Sequence, residues 1–249
     1  MGNRFLLSLV VCLVAFASPS FADSIGKIVG LAGAPTSAGP GGNRTLTVGS
    51  DVFEHDTITV STGDAQILFV DGTRLVVGPG SSLLVEKFLL RGGTSTAENV
   101  SINALRGTFR FITGKSPKDA YDIKTANATI GIHGTGFDFW VNDYTDLAVL
   151  KGLVELCDSK HKKGIACVLL HPTCEMGSTE HKQAKKLLDE IKGTRLRSHL
   201  PYVVNQTPLR KDFRLDLASC KSALAGGIIN TPTGHGLPPT PPGCGRKCE

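Results

Sequence analysis

Between Ile25 and Glu155 the chain repeats one pattern: short runs of apolar and β-branched residues, each closed by Gly, Asp, Asn or Pro, roughly every ten residues. No stretch there sustains a helical apolar period, so the region reads as an all-β domain. Candidate strands include Ala65 to Val70, Arg74 to Val77, Asn99 to Leu105, Gly107 to Thr113, Ala128 to Ile132, Gly136 to Asn142, Thr145 to Leu150 and Leu153 to Cys157. Asp71-Gly72 is the strongest short-range hairpin signal and joins the first two. Gly78-Pro79-Gly80-Ser81 then forces another turn. So many short strands must close or cover their edges, which predicts a sandwich, barrel or coiled solenoid.

The 249 residues carry a net charge of +5 with basic and acidic residues interleaved, which argues against a nucleic-acid surface. Residues 1–22 read as a signal peptide: Arg4, an apolar run from Phe5 to Phe16, then Ser20 and Ala22 placed for cleavage before Asp23. That run is shorter than the roughly 20 residues a spanning helix needs, so no membrane span is expected after cleavage. Cys157, Cys167, Cys174, Cys220, Cys244 and Cys248 then remain, an even set that predicts three disulfides in an oxidising compartment. Cys157 and Cys167 flank a charged, Gly-containing loop and are the first candidate pair, cross-strand on a hairpin. The rival reading takes Cys157, His161, Cys167, His171, Cys174 and His181 as zinc ligands, but their spacing matches no standard finger. No metal and no cofactor is expected.

The order Gly49-Ser50-Asp51, Phe69-Val70-Asp71-Gly72-Thr73, Gly78-Pro79-Gly80-Ser81, Arg106-Gly107-Thr108-Phe109 and Thr125 to Phe137 resembles the FecR domain, a periplasmic sensor module of bacteria. The family usually reads Thr-Pro-x-Ala-x-Ile-Gly-Ile-Arg-Gly-Thr-x-Phe where this chain has Thr125, Gly131, His133, Gly134, Thr135 and Phe137. Ala126 stands for the customary Pro and His133 for the customary Arg, so an anion contact by that guanidinium does not carry over. The resemblance implies a twisted β-solenoid-like roll over residues 23–157. Read without the family, the two glycines of Gly131-Ile132-His133-Gly134-Thr135 mark a bend between strands or a close backbone approach.

Beyond it, residues 158–230 form a cysteine-containing extension with one helix near 179–192, from Ala184, Leu187, Leu188 and Ile191 at helical spacing and Gly193 as a stop. Leu209, Phe213, Leu215 and Leu217 are candidate docking residues, and 231–249 is a Pro/Gly-rich tail. No catalytic motif is present, and His55 between Glu54 and Asp56 reads as a turn residue. In the family's regulators the resemblance implies an anti-sigma segment, a membrane helix and a receptor-facing module. This chain departs from that plan at both ends, so direct sigma control is not expected. The expected function is a non-enzymatic periplasmic or secreted sensor, adaptor or scaffold that binds an envelope protein. The alternative is a ligand module for an envelope glycan or ferric chelate, favoured if Trp140 lies on the surface. Strand alternation puts Phe137 and Phe139 on the core face and Trp140 on the other.

Overall fold

The computed structural model describes residues 23–159 and 167–225. Residues 1–22, the expected signal peptide, and His161, Cys244, Cys248 and the 231–249 tail lie outside the described residues. Among the described residues fifteen strands join in one mixed sheet: β1 (Ser24–Ala32), β2 (Thr36–Ala38), β3 (Arg44–Thr45), β4 (Asp51–Phe53), β5 (Thr57–Val60), β6 (Asp64–Phe69), β7 (Arg74–Val77), β8 (Ser81–Leu90), β9 (Ala97–Ile112), β10 (Tyr121–Thr125), β11 (Ala128–Val141), β12 (Thr145–Asp158), β13 (Cys167–Leu170), β14 (Met176–Ser178) and β15 (Lys185–Lys186). Helices α1 (Asp189–His199), α2 (Pro201–Val204) and α3 (Ala218–Ala225) follow.

The hairpin read at Asp71-Gly72 is present, with Ala65 opposite Val77 and Leu68 opposite Arg74. Three other expectations change. Asn99 to Leu105 and Gly107 to Thr113 are one strand, β9, as are the pairs of runs that make β11 and β12. At the intervening glycines the strands change neighbours instead of ending. Before Gly107, β9 pairs with β8 and β10; beyond it, with β7 and β11. The first part of β11 pairs with β10 and the last part with β9. β12 changes from β14 to β13. Gly107, Gly134 and Gly152 all have positive φ, which glycine adopts at little cost. The sheet thereby doubles over into two layers, corners being made by strands that pass from one layer to the other.

One core fills the space between the layers. Phe69 of β6 stacks on Phe88 of β8 at 5.3 Å, and Phe109 on Phe139 at 5.0 Å. Phe137 and Phe139 are buried in this core, as alternation requires. The second layer is covered on its outer face as well. Leu147 and Val149 face the main core while Ala148 and Leu150 join Met176, Leu196, Leu200 and Val203 in a second cluster. Val76, Tyr202, Leu209 and Phe213 make a third. Each fully buried side chain of this size contributes about 1.5–3 kcal/mol.

The helix expected near 179–192 is not there. Glu180–Lys182 is a single 3-10 turn with His181 and Lys182 at positive φ, and the helix begins at Asp189. Sheet pairing overrides the local pattern: Ser178 pairs with Asp146, Lys185 with Ser178, and Leu187 donates its N–H to the Met176 carbonyl. Leu187 is buried, whereas Leu188 and Ile191 are exposed, and Gly193 sits inside α1 rather than after it.

Candidate functional site

The segment from Thr125 to Phe137 serves the fold. The Thr125 hydroxyl accepts from the N–H of Ala128 at 2.8 Å and of Asn127 at 3.2 Å, closing the turn between β10 and β11. It also meets the Thr145 hydroxyl at 2.8 Å, and Thr145 donates to Asn127 Oδ1 at 2.5 Å. Gly131 lies opposite Glu155 within β11, and a Cβ there would meet nothing closer than 3.5 Å. His133 is exposed opposite Leu153. At Gly134 the register with β12 shifts, and Gly152 approaches so closely that a Cβ on it would lie 2.3 Å from the Gly134 carbonyl oxygen. Thr135 is buried, its N–H held by the Thr113 hydroxyl at 3.1 Å. Phe137 packs on Phe111 and Phe139. At Gly134 the two readings meet: a positive φ and a register shift within a continuous strand, and a close approach by Gly152, while Gly131 shows neither.

A second polar constellation surrounds the hairpin turn. Asp71 is buried and accepts from the Thr73 N–H, the Thr73 hydroxyl, the Ser116 hydroxyl and the Tyr121 hydroxyl, all at 2.7–2.8 Å. Buried carboxylates persist only when so satisfied. Burial and the neighbouring carboxylate push the Tyr121 hydroxyl up, against the pull of Thr73. Asp71 is therefore a brace between β6, β10 and the loop after β9.

The third is at the C-terminal cap. Asp146, fully buried on β12, accepts from His199 Nδ1 at 2.7 Å and Arg195 Nη1 at 3.0 Å, and Arg195 also pairs with Glu180 at 2.6 Å. His199 lies flat on Trp140 with ring centroids 3.9 Å apart. Trp140 is thus half-buried, one face taken by an imidazole. Sequence alternation found its side of the sheet but carried no sign of the histidine that covers it.

A fully buried ion pair sits between the sheet and the segment 200–215, a strap across its outer face. Arg110 and Asp138, opposite each other on β9 and β11, are both fully buried and paired through Nε at 2.6 Å and Nη2 at 2.8 Å. Arg110 also donates to the carbonyls of Tyr202 at 3.1 Å and Phe213 at 3.2 Å and to the Gln206 side chain. Burial pushes the Asp138 carboxyl up, partly offset by the guanidinium. Beside the strap an open groove of about 390 Å³ is lined by Val29, Leu68, Arg74, Lys115, Arg210 and Phe213. Sequence reasoning found Phe213 and missed the rest of this groove, which joins residues from four parts of the chain.

Two disulfides close the described cysteines. Cys157 is bonded to Cys167 across the β12–β13 pair, and Cys174 to Cys220, which ties α3 to the approach to β14. In this bonded form Cys157, Cys167 and Cys174 do not offer the thiolates that the rival zinc reading requires. No described helix is long and apolar enough to cross a membrane.

Residues 56–155 match the family model described as FecR protein. No curated protein matches the chain. Two crystal structures of a proposed anti-sigma factor from Parabacteroides distasonis ATCC 8503 are similar over part of their length. One, at 2.50 Å, has 16% identity and a TM-score of 0.40 over 57% of this chain and 64% of its own. The other, at 1.65 Å, has 15% identity and a TM-score of 0.39 over 55% and 63%. The chain thus spans under two thirds of the length of the solved structures it matches.

Proposed function

Given that the chain carries a FecR domain over residues 56–155, we propose that it is a non-enzymatic sensor, adaptor or scaffold of the bacterial periplasm that works by contact with another envelope protein. The observation that carries this reading is the surface beside β6. Leu68, on a strand paired along both edges by β1 and β7, is 40% exposed and lines a groove with Arg74, Lys115 and Arg210, and Val70, in the turn just past that strand, is 42% exposed. An exposed apolar surface rimmed by charge suits a protein partner. Of the family's motif residues, Thr125, Thr135 and Phe137 are buried and build the scaffold, while His133 is exposed. The disulfides are consistent with an oxidising compartment.

The test is in-cell crosslinking, affinity purification of the chain, and mass spectrometry under non-reducing conditions. A stoichiometric envelope protein is the expected result. A disulfide-bonded monomer without a partner would instead move the assignment to a ligand module for a glycan or ferric chelate, to be measured by calorimetry.

A further inference from the structure

We propose that the groove between β6, β7 and the strap receives an acidic peptide segment of a partner protein, one that sets apolar side chains beside carboxylates. This rests on the adaptor reading and adds the chemistry recognised. The volume, about 390 Å³, suits a few side chains. Its apolar part is Val29, Leu68 and Phe213; its cations are Arg74, Lys115 and Arg210. Among the described residues none of the three has an ion-pair partner. Arg74 Nη1 donates to the Asp212 carbonyl at 3.0 Å, and its buried Nε has no acceptor. Three cations beside the single carboxylate of Asp212, none of them ion-paired, leave a net positive lining that an entering carboxylate relieves.

Two observations select a peptide over a small carboxylate. Val70, two residues along the chain from Leu68 and 42% exposed, adds apolar surface outside the groove lining. Asp212, the acidic residue in the lining, offers an acceptor for peptide N–H groups, which a simple carboxylate lacks. Both edges of β6 are already paired, so the segment would bind through side chains rather than as an added strand.

The test is fluorescence anisotropy of the disulfide-intact protein with a labelled peptide alternating Glu and Leu over six residues, and with its Gln-for-Glu counterpart. The acidic peptide is expected to bind about tenfold or more tightly than the Gln peptide, and to weaken as salt is raised. Lys115→Glu with Arg210→Glu, two exposed side chains, should cost about tenfold or more, with circular dichroism and Tm unchanged. Leu68→Ser, which keeps every charge, should also weaken binding. Equal affinity for the two peptides, no binding, or indifference to the double charge reversal overturns the proposal. In cells, a partner captured equally by wild type and K115E/R210E overturns the groove while the adaptor reading stands; no partner with either chain defeats that reading instead.

Discussion

Arg110 brings five N–H donors into a fully buried site, and its acceptors are Asp138, Gln206 and two strap carbonyls. Removing one partner of such a pair strands a buried charge. Arg110→Met should therefore cost about 3–5 kcal/mol in urea unfolding, and Asp138→Leu added to it should recover most of the loss. In the single variant the pull of the guanidinium on Asp138 is gone, so its folded-state carboxyl rises further and the loss should be larger at neutral than at acid pH. Asp64 gives a second pH signature. Burial pushes its carboxyl up, against the Gln66 amide that donates to it at 2.8 Å. A raised carboxyl means the folded state holds its proton more tightly, so Asp64 costs stability as pH rises past its ordinary value of 3.8. Asp64→Asn should raise the urea midpoint at pH 7 and leave it almost unchanged in strong acid. Neither residue was a candidate in the sequence, because a lone Arg or Asp on a strand looks the same whether its face is solvated or covered.

Strands β9, β11 and β12 each cross from one layer to the other, and glycine decides where. Gly152 at φ 72° leaves no room for a Cβ, whereas Gly131 has ordinary space and no positive φ. Gly152→Ala should thus cost about 2 kcal/mol or more, and Gly131→Ala under about 1, in the same denaturation series. Sequence reasoning singles out Gly131 and passes over Gly152, since composition does not record which glycine adopts the left-handed region. The displaced helix has a related cause: a two-residue strand at Lys185–Lys186 takes hydrogen bonds from β14 that local spacing could not anticipate. A signal that the outer face is covered was nonetheless present. Leu75-Val76-Val77 and Leu147-Ala148-Val149-Leu150 are continuous apolar runs, the pattern of strands buried on both faces.

At the scale of the molecule, the cap is held by apolar packing, by the Arg110 and Asp146 networks, and by a disulfide spanning 46 positions, Cys174 to Cys220. In the chain-entropy account a closure of that length is worth about 4 kcal/mol. Cys174→Ser with Cys220→Ser should lower stability by about that amount, and limited proteolysis should cut first in α3, while the β core stays protected.

The sequence alone determined the all-β class, the Asp71-Gly72 hairpin, the inward Phe137 and Phe139 and the docking of Leu209 and Phe213, because alternation, turn chemistry and apolar character act over a few residues. Tertiary structure decided which glycines turn a strand between layers, that His199 covers Trp140, and that Arg110 reaches Gln206 across 96 positions. Those outcomes depend on which distant surface arrives to satisfy a buried polar group or close an apolar face, and that is settled only when the layers pack.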